Sequence, residues 1–171
     1  ILISSVGTAT SVGVIRNIRK YAPSCVIVGL DINEYGYTAG SQLVDRYYRV
    51  PLATNECYIP TILEIILKES VELFIPINDT EILAVSRNRL DFPNGCRLLV
   101  PELETLELIQ NKYRMNQRAL ELGLSVPDME NIKPNEKCIV RDYHGVGSKG
   151  IKIYDSFRCA QADRNKQFIQ K

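Results

Sequence analysis

The sequence has no tryptophan and one histidine, and it lacks the features that define several classes of protein. No apolar run approaches the roughly 20 residues that cross a bilayer, so no membrane span is predicted. The five cysteines are scattered, with no pair at two-residue spacing. This pattern argues against a zinc site and a disulfide framework. Because unpaired thiols are typical of a reducing compartment, we predict a cytoplasmic location.

Charge is unevenly distributed along the chain, although the net charge is only +1. Residues 1–132 contain 12 Lys or Arg and 16 Asp or Glu, whereas residues 133–171 contain 9 and 4. The basic C-terminal part suits a ligand that carries phosphate. The sequence has no basic helix and no interleaving of aromatic and basic residues, so a nucleic-acid partner is not predicted.

Residues 1 to about 100 alternate between strand-like and helix-like segments. Five short strands are predicted, in "ILISSV", "CVIVGLDI", "YYRVP", "VELFIPI" and "CRLLV". Between two of them, "ECYIPTILEIILKES" predicts a helix whose apolar face contains Ile59, Ile62, Leu63, Ile66 and Leu67. Alternating strands and helices predict an α/β fold with a Rossmann-like parallel sheet covered on both faces.

The pattern changes after residue 100. "PELETLELIQNKYRMNQRALELG" predicts two helices that meet near Asn111 and end at Gly123. "CIVRDY" and "GIKIYD" predict two strands, and "SFRCAQADRNKQFIQK" predicts a helix followed by a strand from Gln167. We therefore predict two domains, residues 1–105 and residues 106–171.

The first glycine stretch, "GTATSVG" at residues 7–13, follows a strand and opens a helix. Asp31 ends the next strand, where the ribose-binding acid of a dinucleotide site would lie. The spacing is G-x-x-x-x-x-G and not G-x-G-x-x-G, so close backbone approach to a pyrophosphate is not supplied. An ordinary strand-to-helix turn is favoured, and a nucleotide- or dinucleotide-binding module is the alternative.

The second glycine stretch lies in "VRDYHGVGSKGIKIY", residues 140–154, between two predicted strands. Its three glycines allow backbone N–H groups to turn toward one anion. Ser148 adds a hydroxyl, Lys149 adds a charge, and Arg141 can bind phosphate oxygens through two donors. A Walker A loop and a Rossmann fingerprint both open a helix, so this loop is neither. A glycine-rich surface hairpin is the alternative.

Five segments, in the expected order, resemble the carbamoyl-phosphate-synthase-like branch of the ATP-grasp superfamily over essentially the whole chain. They are "ILISSVG", "VIVGLDINEYGYTAGSQLVDRYYRVPLA", "YIPTILEIILKESVELFIPINDTEI", "IQNKYRMNQRALELGLSVP" and "IVRDYHGVGSKGI". The resemblance implies a Rossmann-like pre-ATP-grasp domain followed by an incomplete α+β ATP-grasp subdomain. It also implies a fragment of an ATP-dependent carboxylate–amine ligase that acts through an acyl phosphate.

The same resemblance implies nucleotide-binding roles for residues in the second half of the chain. Lys112 matches a basic residue that reaches the phosphates from the linking helix, and Arg141 matches a basic residue on the strand. The matching loop residues are Gly145, Gly147, Ser148, Lys149 and Gly150. Asn111 and Asp142 depart from the family, which usually has Asp and Pro there. Alternation along a strand predicts that Asp142 points away from the Arg141 face.

Asp79 and Glu81, in "NDTE", match an acidic pair that borders the substrate cleft in relatives. The same residues are explained by helix capping, with Asn78 or Asp79 as the N-cap and Glu81 favoured in the first turn by the helix dipole. We favour this structural interpretation over a role in the substrate cleft. No catalytic residue is assigned from the sequence.

ATP and Mg²⁺ are the cofactors that the resemblance implies. After Gly150 only Asp155 and Asp163 are acidic, so metal ligands are expected outside this chain, which would then be inactive alone. Expected partners are a small-molecule carboxylate and an amine, and a homodimer is left open. A non-catalytic carboxylate-binding regulatory module is a further alternative.

Overall fold

The computed structural model describes residues 1–145 and 150–171, which form two compact units, residues 1–103 and 104–171. The five strands of the first unit are β1 (Leu2–Ile3), β2 (Val28–Asp31), β3 (Arg46–Arg49), β4 (Leu73–Ile75) and β5 (Arg97–Leu98). All neighbouring strands pair in parallel, in the order β3-β2-β1-β4-β5. The predicted parallel α/β sheet is confirmed.

Three helices connect these strands: α1 (Ala9–Tyr21), α2 (Tyr58–Glu69) and α3 (Asp79–Arg87). Short 3₁₀ turns occupy Ala39–Gln42 and Arg89–Asp91. The Thr8 hydroxyl accepts from the Ser11 N–H at 3.2 Å and so caps α1. Within the described residues, we find no helix with the length and apolar content of a membrane span.

Both faces of the sheet are covered, as an all-parallel sheet requires. Leu2 packs with Phe74 and Ile62 in one core cluster, whereas its neighbour Ile3 packs with Ile15 in a second. Adjacent residues reach opposite clusters because side chains alternate across a strand. All of these side chains are fully buried. The central strand β1 is therefore fixed from both sides, and with it the start of the turn that follows.

The buried face of α2 differs from the prediction. Tyr58, Ile62, Ile65 and Ile66 are buried, but the predicted core residue Leu67 is 68% exposed. Apolar residues surround much of this helix, so spacing alone leaves its rotation poorly determined. Packing against the sheet decides the rotation and turns Leu67 outward. Ile59 and Leu63 are only partly buried against the core.

The second unit contains an antiparallel sheet of β6 (Cys138–Asp142), β7 (Lys152–Tyr154) and β8 (Gln167–Gln170), in the order β7-β6-β8. Helices α4 (Leu103–Gln110) and α5 (Lys112–Glu121) meet at Asn111, as predicted. Gly123 follows α5 with a φ of +74°, a conformation that favours glycine.

The predicted helix within residues 155–166 is wrong. This segment has only a 3₁₀ turn, Phe157–Cys159. Its polar side chains bind nearby backbone groups and stabilise turns. The Ser156 hydroxyl donates to the Pro134 carbonyl at 2.7 Å, and Asp163 accepts from the Asn165 N–H at 3.0 Å. The Asp163 bond is local and competes with helix formation, whereas the Ser156 bond links the 3₁₀ turn to a residue 22 positions earlier.

Candidate functional site

The first unit has a cavity of about 290 Å³ at the carboxyl ends of its strands. The chain places β2 and β3 on one side of β1, then β4 and β5 on the other. Ligands of open α/β sheets bind where the strand order reverses in this way. The lining residues lie at or after the ends of β1, β2, β3 and β4: Ser5, Gly7, Thr8, Asp31, Ile32, Asn33, Thr38, Leu52, Ala53, Asn78, Thr80 and Glu81. We call this cavity the switch-point cleft.

Glu81 joins the end of β1 to the start of α3. Its Oε2 accepts hydrogen bonds from the hydroxyls of Ser4, at 2.6 Å, and Ser5, at 2.8 Å. It also accepts from the Asn78 N–H at 3.2 Å, while the Asn78 side chain accepts from the Thr80 N–H, which completes a capping box. Glu81 is 6% exposed and lines the cleft.

Asp79 differs from Glu81 in its placement. It is the first residue of α3 and is exposed, and the capping residue is Asn78. The predicted acidic pair therefore separates into one buried carboxylate and one surface carboxylate. The capping interpretation accounts for Glu81 without a ligand, although the side chain still borders the cleft.

Two groups that the sequence analysis missed also lie in this region. The hydroxyl of Tyr58 is buried and makes no hydrogen bond among the described residues. Burial, with the negative charge of Glu81 nearby, raises the pKa of this phenol. The Thr38 hydroxyl, which lines the cleft, is likewise buried and without a described partner. No motif in the sequence marks either residue.

At the first glycine turn, the carboxylate of Asp31 accepts hydrogen bonds from within the chain. Oδ2 of Asp31 accepts from the Gly7 N–H at 2.7 Å. Oδ1 accepts from the N–H and the side-chain amide of Asn33, at 3.1 and 2.8 Å. The donor that would face a pyrophosphate is therefore used internally. Gly13 lies within α1, in open space. This geometry argues against the dinucleotide alternative.

The second unit brings Lys112 to the start of the second glycine loop. Lys112 is the first residue of α5, and the Asn111 side chain caps this helix by accepting from the Arg114 N–H at 3.1 Å. The Lys112 N–H donates to the Tyr143 carbonyl at 2.9 Å, and its ammonium donates to the Gly145 carbonyl. Of the predicted loop residues, Gly147, Ser148 and Lys149 lie outside the described residues.

Arg141 lies on β6 with an unsatisfied donor. Its Nε is buried and has no hydrogen-bond partner among the described residues. Arg141 is opposite Phe168 on β8, and Ile139 is opposite Gln170, so these four side chains share one face of the sheet. Gln170, which is 6% exposed, also has a buried Oε1 with no partner in the described part of the chain. No pattern in the sequence marks Gln170, because its position on the Arg141 face depends on strand register.

Aromatic rings fix this end of the sheet. Tyr143 stacks on Phe168 with ring centroids 5.7 Å apart, and Tyr113 meets both rings edge-on. Such contacts restrict the rings and the backbone next to Arg141. A cavity of about 650 Å³ lies beside them, lined by Asn111, Asp142, Tyr143, His144, Asp163, Asn165, Lys166 and Gln167. Among described residues, no cluster of three or more His, Cys, Asp or Glu could hold a metal ion.

The parallel sheet with its switch-point cleft has the fold of the N-terminal, pre-ATP-grasp domain of ATP-grasp enzymes. The chain belongs to the PylC-like N-terminal domain family, whose model matches residues 1–99. A search of curated proteins found no significant match.

Solved structures of three enzymes resemble the chain over 99% of its length. The biotin carboxylase domain dimer of Hydrogenobacter thermophilus 2-oxoglutarate carboxylase, with MgADP, ADP and bicarbonate, has 15% identity and a TM-score of 0.70. An L-amino acid ligase from Bacillus licheniformis has 11% sequence identity to the chain and a TM-score of 0.65. N5-carboxyaminoimidazole synthetase from Staphylococcus aureus, complexed with ADP, has 10% sequence identity and a TM-score of 0.66. The chain covers 43%, 43% and 46% of these proteins, respectively.

Proposed function

We propose that the chain is part of an ATP-dependent carboxylate–amine ligase and that residues 104–171 begin its ATP-grasp domain. The observation that carries this proposal is the buried Nε of Arg141, which has no partner among the described residues, on the strand that enters the glycine loop. A buried donor without a partner costs about 1–3 kcal/mol. Phosphate oxygens would satisfy it, because guanidinium binds them through charge-assisted hydrogen bonds.

Lys112 supports the same assignment. Its ammonium lies at the Gly145 carbonyl, beside the strand that carries Arg141. A cation held at the start of a glycine loop would attract the phosphates of a nucleotide. In this proposal the loop residues Gly145, Gly147, Ser148, Lys149 and Gly150 complete the phosphate site. Two of the similar enzymes were solved with ADP, one of them with MgADP, which favours ATP as the ligand.

The proposed reaction has two steps. A carboxylate oxygen attacks the γ-phosphorus of ATP, and ADP leaves to give an acyl phosphate. An amine then attacks the acyl carbon, and phosphate leaves as the amide forms, with loss of the amine proton. Mg²⁺ would neutralise the phosphate oxygens, and its ligands are expected outside these 171 residues. Arg141 and Lys112 would bind and orient the triphosphate.

The switch-point cleft is proposed to hold the amine substrate. Asp31 and Glu81 both line it, and its lining contains no Lys or Arg. Two carboxylates in a largely buried setting favour a cationic ammonium group. Glu81 would contribute directly, and the exposed Asp79 would lie nearer the surface. All five cysteines are free, which supports the proposed cytoplasmic location.

The test measures MgATP binding and carboxylate-dependent ADP release by the full-length protein, with Arg141→Ala and Arg141→Lys as variants. Loss of one charge-assisted contact of about 1.5–3 kcal/mol predicts a Kd for MgATP about 10- to 150-fold higher in Arg141→Ala. Arg141→Lys keeps the positive charge but loses the paired N–H donors of the guanidinium, so an intermediate Kd is expected.

Arg158→Ala is the matched control, because Arg158 is an exposed arginine of the same unit, on the 3₁₀ turn. Its Kd should equal that of the wild type. Unfolding by urea separates folding from binding, and Arg141→Ala should not reduce stability, because the lost Nε has no described partner. Absence of MgATP binding by the full-length wild type would overturn the proposal.

A further inference from the structure

The side chain of Asp142 lies at the base of the second glycine loop. Its Oδ1 accepts a hydrogen bond from the Gln167 side-chain amide at 2.8 Å. Its Oδ2 lies 2.2 Å from the place where a Cβ would stand on Gly150. The Asp142 backbone carbonyl accepts from the Gly145 N–H at 3.5 Å. One residue therefore contacts Gly145 and Gly150, the two described ends of the loop.

Gly150 is needed at this contact for two separate reasons. Its φ is +77°, a conformation that L side chains rarely adopt. A methyl group at this residue would also overlap the Asp142 carboxylate, because 2.2 Å is far below a normal carbon–oxygen contact. Only the second reason depends on Asp142, so an experiment can separate them.

The carboxylate is held in place from the neighbouring strand. Asp142 and Gln167 are directly opposite in the β6–β8 ladder. The Gln167 side-chain oxygen accepts from the Asp163 N–H at 3.2 Å, which orients the amide so that its nitrogen donates to Asp142. Asp142 cannot turn away from Gly150 without losing this bond. Alternation places it on the opposite face of the strand from the Arg141 side chain.

We propose that Asp142 is a positioning residue that fixes the base of the glycine loop for nucleotide binding. The inference rests on the proposed ATP site and adds a residue that the resemblance did not assign. A segment whose ends are fixed loses less conformational entropy when it binds a ligand. The Asp142 carboxylate then supports phosphate binding without touching phosphate.

A double-mutant cycle on the full-length protein tests this inference through the Kd for MgATP. Asp142→Ala should raise the Kd about 5- to 10-fold, and Asp142→Asn should restore most of the affinity because its amide oxygen still accepts from Gln167. Gly150→Ala should raise the Kd further in the wild type. In the Asp142→Ala background, the fold-change in Kd caused by Gly150→Ala should be at least about 3-fold smaller, because the methyl group no longer meets a carboxylate.

Asp155→Ala is the matched control, since Asp155 is 89% exposed and pairs only with Lys137 among the described contacts. If Asp142→Ala does not fold, Gln167→Ala replaces it, because it removes the bond that holds the carboxylate. An unchanged Kd in Asp142→Ala or Gln167→Ala, or equal Gly150→Ala effects in both backgrounds, would overturn this inference alone. Absence of MgATP binding by the wild type would overturn the proposed function as well.

Discussion

The two glycine turns of this protein differ in whether their polar groups find partners within the chain. At the first turn, Asp31 accepts the Gly7 N–H and the Asn33 donors, although the hydroxyls of Thr38 and Tyr58 in the same region lack a partner among the described residues. At the second, on the strand that enters the loop, the Nε of Arg141 is buried and has no partner in residues 1–145 and 150–171. Glycine content alone therefore does not separate the two turns, and the unsatisfied donor of Arg141 is what supports the proposed phosphate site at the second.

The largest expected effect tests how tightly the first turn is packed. A Cβ on Gly40 would lie 1.7 Å from the Val6 carbonyl oxygen, which is backbone and cannot rotate away. Gly40→Ala should therefore lower the free energy of unfolding by about 3 kcal/mol or more, measured by urea denaturation.

Gly13→Ala is the control for this substitution, because Gly13 lies within α1 and no atom approaches its Cβ position within 4 Å. Alanine there should stabilise the helix by about 0.5–1 kcal/mol. Similar effects of the two substitutions would show that the close approach of Gly40 to Val6 does not contribute to stability.

A smaller effect is expected when the acceptor of the first turn is removed. Asp31 is 6% exposed, so Asp31→Ala removes a buried charged acceptor of three hydrogen bonds, one from the Gly7 N–H and two from Asn33. The expected loss is about 1–3 kcal/mol of unfolding free energy. Asp91→Ala, at an exposed aspartate of the same unit, should change stability by less than about 0.5 kcal/mol.

The same variant sharpens the contrast between the two turns. Asp31→Ala should leave the Kd for MgATP unchanged, whereas Arg141→Ala should raise it. Measurable binding of NAD(H) or NADP(H) by the wild type that Asp31→Ala abolishes would reverse the comparison and make the first turn a ligand site.

The sequence predicted those elements that have local signals. The parallel sheet and the junction at Asn111 follow from hydrophobic period and capping chemistry, and Gly123 marks a helix end with positive φ. The rotation of α2 depends on packing with the sheet, and spacing alone put Leu67 in the core.

The unsatisfied groups of the candidate site were harder to foresee. Gln170 shares a face with Arg141 only because of the β6–β8 register, and Tyr58 lies beside Glu81 only in the folded first unit. Alternation along β6 did predict that Asp142 points away from Arg141. It could not predict that Asp142 meets Gln167 and Gly150, since these residues come from other segments.

The smallest effect concerns Asp45, a second aspartate of the first unit that accepts a backbone N–H. Its Oδ2 accepts from Ile27 at 2.7 Å and lies 2.9 Å from Arg19, but the side chain is 43% exposed, unlike that of Asp31. The bond from Ile27 lowers the pKa of Asp45, and Arg19 adds to this against partial desolvation.

A lowered folded-state pKa means that Asp45 stabilises the protein above its ordinary pKa, near 3.8, and that this stabilisation is lost as the pH falls through the lowered value. Solvent screening keeps the contribution below about 1 kcal/mol. Asp45→Asn should therefore be slightly less stable than the wild type at pH 7, and the difference should disappear on acidification. Unfolding free energies at several pH values check this. If the difference in unfolding free energy stays constant down to low pH, the negative charge of Asp45 does not contribute to stability.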